Sequence, residues 1–230
     1  MTDLKGAIVE FPANGRTARG YLSRPEKGRG PGVIVIQEWW GLVDHIRDIA
    51  DRFAAEGYVA LAPDLYHGEA TKSPDEAGKL MMALNIEETE KDLRGAASYL
   101  LSESSGTKVG VVGFCMGGQL SLFAASKNES IGACVDFYGI HANVRPDYDR
   151  IKSPVLGLFA GKDAYVTPDA VKKLESALGA AGVTTDFHIY PDVDHGFFND
   201  TRKEAHDAGA AADAWRRVLA FFQKHLAGEG

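Results

Sequence analysis

The sequence predicts an α/β fold in three layers, αβα, with a mainly parallel sheet of about seven or eight strands. Short β-rich runs alternate with longer stretches of helical periodicity, which is typical of parallel sheets. Most of the runs are almost continuously apolar, as expected for strands covered on both faces. A length of 230 residues favours a single domain over the whole chain, 1–230.

Two early segments, Ala7–Phe11 and Arg19–Ser23, predict a hairpin across the turn at Gly15, which would add an antiparallel edge to the sheet. The expected central strands share a dense apolar composition and are Val33–Gln37, Tyr58–Ala62, Val109–Gly113, Ala133–Tyr138, Val155–Ala160 and Thr185–Tyr190.

The expected helices lie between these runs, at about Val43–Glu56, Ser73–Glu103 with one break, Gly117–Lys127, Pro168–Ala181 and Lys203–Ala227. Gly57 and Gly182 follow two of them as helix-ending glycines. Thr167 before Pro168 is typical of a capped helix start. Ligands of open α/β sheets bind at the carboxyl ends of the strands, so the segments that follow the strands hold the candidate site.

Composition excludes several classes of protein. Hydrophobic residues are 45% and charged residues 25%, with a net charge of −7, which is ordinary for a globular chain. No cluster of Lys and Arg suggests nucleic-acid binding. The start, MTDLKGAIVE, lacks a signal-peptide pattern, and no apolar run approaches the roughly 20 residues of a membrane span. With only two cysteines, we expect a soluble protein of a reducing compartment, the cytoplasm.

The strongest chemical signal is GFCMGG at 113–118, which follows an apolar strand and opens a helix. It matches the nucleophile-elbow pattern G-x-S-x-G with Cys115 in the serine position. Such a turn leaves no room for side chains at Gly113 or Gly117, and the helix start favours a thiolate. The alternative is a structural cysteine in a glycine-rich turn. Cys134, inside an apolar run, is expected in the core.

An elbow needs a base and an orienting acid, in the chain order nucleophile, acid, histidine. Asp163 follows the strand VLGLFA, and His195 follows the last strand within DVDHG. The predicted triad is therefore Cys115, Asp163 and His195, with His195 taking the thiol proton and Asp163 orienting its ring.

Other polar residues compete with this assignment. Asp169 is a rival acid inside the following helix, and His45 and His67 lie in loops where a substrate role stays open. Asp192 and Asp194 beside His195 suggest metal ligands, but nothing completes such a site, so we expect neither a metal nor another cofactor.

The loop Gln37–Gly41 follows the first central strand. In this arrangement the oxyanion amides come from that loop and from the residue after the nucleophile, here Trp39 and Met116. Glu38 would then lie beside the thiol. We expect four further side chains to contact substrate: Trp40, Tyr138, Phe197 and Arg202.

From about Gly32 to the last helix, the chain resembles the dienelactone hydrolase family, the carboxymethylenebutenolidase-like branch of the α/β-hydrolases. The motifs are VIVIQEWWG, GYVALAPDLYHG, KVGVVGFCMGG, VDFYG, GKDAYVTP and DHGF. The resemblance implies a Cys115–His195–Asp163 triad, a contact between Glu38 and resting Cys115, and cofactor-free hydrolysis of esters or enol-lactones.

The chain departs from the family at the two arginines that clamp a substrate carboxylate. Asn199 stands a few residues after His195, and Pro74 and Asp75 occupy the other region. Arg202 is the candidate substitute. Neutral esters or lactones are therefore the favoured substrates.

We thus predict a cysteine-dependent hydrolase that works through an acyl-thioester and takes a small ester or lactone as its partner. The alternatives are a thioesterase on the same fold, a non-catalytic ligand-binding protein and a redox-sensing thiol protein. Neither nucleic acid nor membrane is an expected partner, and the sequence makes no prediction of oligomeric state.

Overall fold

The computed structural model describes residues 5–226. The strands are β1 (Ala7–Ala13), β2 (Arg16–Ser23), β3 (Pro31–Ile36), β4 (Val59–Pro63), β5 (Ser105–Phe114), β6 (Ile131–Phe137), β7 (Val155–Ala160) and β8 (Thr185–Tyr190). The helices are α1 (Asp44–Ala55), α2 (Pro74–Ala83), α3 (Ile86–Glu103), α4 (Met116–Lys127), α5 (Pro168–Ala180) and α6 (Ala208–Leu226).

The eight strands form one sheet in the order β1-β2-β4-β3-β5-β6-β7-β8. Strands β3 to β8 run parallel, and β1 and β2 form an antiparallel hairpin that joins the sheet through β4. Both the predicted fold class and the hairpin at its edge are confirmed. The hairpin turn uses Asn14 and Gly15 with φ of 49° and 88°, a backbone that glycine and asparagine adopt most readily.

Two hydrophobic cores lie on opposite faces of the sheet. Val33 and Val35 of β3 face a core with residues of α1 and α6, whereas the alternate residues Ile34 and Ile36 face a core with residues of α3, α4 and α5. Because successive side chains of a strand point to opposite faces, a strand buried on both sides must be apolar throughout, as predicted.

One helix boundary differs from the sequence expectation, and the predicted break in the long helical stretch is present. The last helix starts at Ala208 rather than near Lys203, because Asp207 accepts a hydrogen bond from the backbone N–H of Ala210 and caps it there. The expected end at Ala227 lies outside the described residues. The break in the long helical stretch falls at Asn85, whose side chain accepts hydrogen bonds from two backbone amides of the first turn of α3.

No helix within the described residues combines the length and the apolar composition that crossing a membrane requires. The parallel strands bring their carboxyl ends to one edge of the sheet, and the loops after β3, β5, β7 and β8 meet there. This edge holds the candidate site.

Candidate active site

Cys115 lies between β5 and α4 with φ 54° and ψ −117°, a backbone that a non-glycine residue adopts only under strain. A Cβ at Gly113 would lie 1.8 Å from the carbonyl oxygen of Gly117. At Gly117 a Cβ would lie 2.5 Å from the carbonyl oxygens of both Ile36 and Gln37. The two glycines thus permit the tight turn and bring the loop after β3 against it.

Backbone hydrogen bonds hold the strained residue in place. The N–H of Cys115 donates to the carbonyl of Phe137, and its own carbonyl accepts from Gly118 and Ile140, all at 2.9–3.1 Å. Met116 is the first residue of α4, so its N–H has no partner within that helix. That amide is free to face an oxyanion formed at Cys115.

Asp163 and His195 lie within hydrogen-bond distance in the loops after β7 and β8. The Nδ1 of His195 is 2.7 Å from Oδ2 of Asp163. The other carboxylate oxygen accepts the backbone amides of Tyr165 at 2.7 Å and Val166 at 2.9 Å. The carboxylate is buried, and its hydrogen bond holds the His195 ring in one orientation.

Burial lowers the pKa of His195, but hydrogen bonds with Asp163 and Cys115 and the charges of both outweigh it and raise that pKa to about 10. The imidazolium form is therefore favoured at neutral pH. The structure brings all three predicted triad residues together.

Glu38 is buried, and its carboxylate accepts a 2.6 Å hydrogen bond from the amide of Asn199. Burial raises the pKa of Glu38 against the opposing effects of Asn199 and of the charges of His195 and Arg202. Glu38 and Cys115 line the same cleft, and the contact between them that the family resemblance implies stays a prediction.

A cleft of about 680 Å³ opens above Cys115, a size typical of small-molecule sites. Its lining is mostly apolar, and it comprises Glu38, Trp39, Trp40, Pro74, Met81, Cys115, Gln119, Gly139, Ile140, His141, Ala142, Tyr165, Val166, Ala170, His195 and Arg202. The guanidinium of Arg202 lies 5.7 Å from the centre of the Trp40 ring. Trp40 and Arg202, two of the four expected substrate contacts, thus line the cleft, and so does Trp39.

Tyr138 and Phe197 differ from that expectation. Both are completely buried, and neither lines the cleft. The Tyr138 ring packs between His195 and Phe197, at centroid distances of 4.9 Å and 5.4 Å. Tyr138 directly follows β6, and Phe197 lies two positions after His195. Both side chains turn into the core, where Tyr138 packs against the ring of His195.

The rival polar residues lie elsewhere. Asp169 and Asp192 are exposed and face Lys172 and Lys162. His45 and His67 face Asp200 and Asp92 respectively, and neither histidine lines the cleft. The described part of the chain holds no cluster of His, Cys, Asp and Glu arranged as a metal site.

Sequence reasoning overlooked His141 and Met81. His141 follows β6 closely and was detectable, because it lies at the carboxyl edge where ligands bind. Met81 gave no such signal, since a methionine in a helical pattern is most often a packing residue. The structure places both side chains in the cleft wall.

Comparison with known proteins gives one consistent family. The model of the "Dienelactone hydrolase family" matches residues 18–226. "Protein usf" of Aquifex pyrophilus is 40% identical over 96% of this chain and 99% of its own length. A "Putative carboxymethylenebutenolidase" of Aquifex aeolicus (strain VF5) is 36% identical with the same coverage.

A solved structure agrees with these sequence relatives. The crystal structure described as a "Putative Dienelactone Hydrolase" from Klebsiella pneumoniae superposes with a TM-score of 0.88 at 31% identity. The match covers 97% of this chain and all of the other.

Proposed function

The chain belongs to the dienelactone hydrolase family, and from that premise we propose that it is a cysteine-dependent hydrolase of small esters or lactones. The observation that carries the proposal is the array at the cleft floor. Cys115 stands on a strained elbow beside His195, and His195 Nδ1 is 2.7 Å from the buried Asp163 carboxylate.

Acylation starts from the thiolate–imidazolium pair. The Cys115 sulfur bonds to the carbonyl carbon, and the carbonyl π electrons move to the oxygen. The backbone amides of Met116 and Trp39 stabilise that oxyanion, which is usually the largest catalytic contribution. When the oxyanion collapses, the bond to the leaving alkoxide breaks, and His195 donates its proton to that oxygen. The acyl group remains on sulfur as a thioester.

Deacylation reverses the role of His195. The neutral imidazole removes a proton from water, whose oxygen attacks the thioester carbon. The C–S bond breaks, the carboxylic acid leaves, and the thiolate–imidazolium pair returns. Asp163 holds the ring through both steps, so one histidine serves as acid and then as base.

Two other functions receive less support. Redox-sensing cysteines often have a resolving thiol nearby, but Cys134 is completely buried, and burial raises its thiol pKa to about 12. A binding protein needs a cleft but no nucleophile with a base and an orienting acid.

A nucleophilic thiol must stay reduced, so we place the enzyme in the cytoplasm.

The charges around the cleft favour neutral substrates. Asn199 stands where the resemblance implies an arginine in members that cleave dienelactone, and it is buried and bonded to Glu38. Arg202 is the one Lys or Arg among the described residues of the lining, and its Nε donates to Glu204 at 2.9 Å. A carboxylate on a lactone substrate would thus have Arg202 as its cationic partner, and Arg202 is already paired with Glu204. It would also lie in the same cleft as the buried Glu38.

The direct test measures hydrolysis of p-nitrophenyl acetate before and after treatment with iodoacetamide. We expect the wild type to hydrolyse the ester and the alkylated protein to be inactive. Cys115→Ala should lose activity and keep its melting temperature, and Cys134→Ser should keep its activity. Full activity in Cys115→Ala would refute the proposal.

A further inference from the structure

Helix α2 crosses the open side of the cleft. Pro74 in its first turn and Met81 in its last turn both line the cavity. Between them, a Cβ at Gly78 would lie 3.9 Å from the Trp39 ring, so the middle of the helix lies over that indole. Ala77 is the single fully buried residue of α2, and the partly buried Leu80 and Met81 also pack against the core, so the core contacts of this helix lie between Ala77 and Met81.

Hydrogen bonds and an isolated β-bridge also attach the two ends of α2 to neighbouring loops. On the N-terminal side, the Thr71 amide donates to the carbonyl of Trp40 at 3.0 Å, and Ala70 pairs with Gly41 in an isolated β-bridge. On the C-terminal side, Nε2 of His141 lies 3.1 Å from the carbonyl oxygen of Met81. The His141 side chain therefore ties the end of α2 to the loop after β6.

The surroundings of His141 determine its tautomer. Its Nδ1 accepts a hydrogen bond from the backbone N–H of Asn143 at 3.1 Å. Nε2 must then carry the ring proton and donate it to Met81. His141 is buried, and burial lowers its pKa, so the neutral ring that makes both bonds is the stable form. The link to α2 thus requires a side chain at position 141 that donates a hydrogen bond to the carbonyl oxygen of Met81.

The position of the base divides the cleft into two sides. His195 protonates the leaving oxygen, so the leaving group lies on its side, near Tyr165 and Val166. That leaves the side of the cleft beneath α2 for the acyl group. The walls there are apolar and comprise Trp39, Pro74, Met81 and Ile140.

We propose that α2 is the roof of an acyl-group site, that His141 is the positioning residue that holds this roof, and that the preferred substrates carry an apolar acyl group larger than acetyl. This inference rests on the proposed function and names the substrate class of the same site. Hydrophobic contact with Met81 supplies the selectivity, since each methylene buried in a pocket contributes about tenfold or more in discrimination.

The first experiment uses p-nitrophenyl acetate, butanoate and hexanoate. In the wild type, kcat/KM should rise from acetate through butanoate to hexanoate, by at least about tenfold overall. Met81→Ala should raise KM for hexanoate about tenfold and leave acetate within about twofold. Met82→Ala is the matched control, because Met82 is 51% exposed and does not line the cleft. Equal effects of the two methionine variants would overturn the proposed roof.

The second experiment separates positioning from folding. His141→Ala should lower kcat/KM for hexanoate about tenfold through KM, with kcat for acetate unchanged. His141→Gln, whose amide can still donate to Met81, should restore most of the loss. A parallel loss on acetate and hexanoate, or no rescue by glutamine, would overturn the role of His141. If His141→Ala does not fold, the comparison of Met81 with Met82 still decides.

The outcomes distinguish this inference from the proposed function. Wild-type hydrolysis that depends on Cys115 but falls from acetate to hexanoate would refute the acyl site alone. No hydrolysis of any of the three esters would refute the proposed function.

Discussion

The side-chain amide of Asn199 donates a 2.6 Å hydrogen bond to the carboxylate of Glu38, and both residues are buried, at 1% and 3% exposure. The amide orientation is determined, because Oδ1 of Asn199 accepts the backbone N–H and the hydroxyl of Thr201. A neutral donor thus supports a buried carboxyl group a few residues after His195.

Replacing that donor with a second carboxylate should destabilise the fold in a pH-dependent way. Asn199→Asp places two carboxyl groups in contact, and both cannot ionise without strong repulsion. We expect a loss of about 3 kcal/mol or more near pH 8 and a smaller loss near pH 5, where the pair can hold a proton. Thermal unfolding at the two pH values measures this. Asn128→Asp, at a half-exposed site, is the control, and an equal pH dependence in both variants would contradict the account.

The triad assignment predicts a distinct ranking among carboxylates. Asp163→Asn should lower kcat by roughly 10³-fold or more, because the imidazole loses its orienting partner and its tautomer. His195→Ala should be similarly inactive. Asp169→Asn and Asp194→Asn, at exposed positions, should stay near the wild type in the p-nitrophenyl acetate assay. A larger loss at either exposed position would show that the acid is misassigned.

The elbow was predictable because Gly113 and Gly117 flank Cys115 within a few residues, and that local pattern specifies the turn. The triad order was equally readable, since each member follows a strand of one parallel sheet. The bond between Glu38 and Asn199 was not, because it joins residues 161 positions apart and depends on how the loop after β8 folds inward. The role of α2 was hidden for a similar reason. The hydrogen bond from His141 to α2 is accepted by a backbone carbonyl, and a pattern of side chains in the sequence does not predict such a bond.

Asp136 is a completely buried carboxyl group at the elbow, and a Cβ on either Gly118 or Gly139 would lie 2.3 Å from its Oδ1. Burial raises its pKa from 3.8 to about 7, against a smaller effect of the Gly139 amide. Because the raised pKa means that the folded state holds the proton more tightly, the associated stability is fully present below about pH 4 and is lost as the pH rises through about 7.

The isosteric variant Asp136→Asn removes that ionisation. It should unfold at a higher temperature than the wild type near pH 8, and the advantage should shrink toward pH 5. About 1.4 kcal/mol per pKa unit makes the difference a few kcal/mol at most. Melting temperatures measured across this pH range test it, with the exposed Asp192→Asn as control. A constant difference at every pH would argue against a buried titrating group.

Arg202 should govern what activity the enzyme has on anionic substrates. In the wild type, a neutral ester should have a higher kcat/KM than cis-dienelactone of similar size. Arg202→Gln should lower kcat/KM for the dienelactone about tenfold and change the neutral ester less than about twofold, since only the anion loses a charged partner. Lys203→Gln, outside the cleft, is the control. A strong dienelactone preference in the wild type would contradict the argument from Asn199.

The central claim is that Cys115 carries the acyl group during turnover, and intact-protein mass spectrometry tests it most directly. Wild-type enzyme quenched with acid during hydrolysis of p-nitrophenyl acetate should gain the mass of one acetyl group. Peptide mapping should place the acetyl group on Cys115, and neutral hydroxylamine should remove it, as expected for a thioester. Cys115→Ala should gain no such mass. An acetyl group on any other residue, or turnover by Cys115→Ala, would contradict the mechanism.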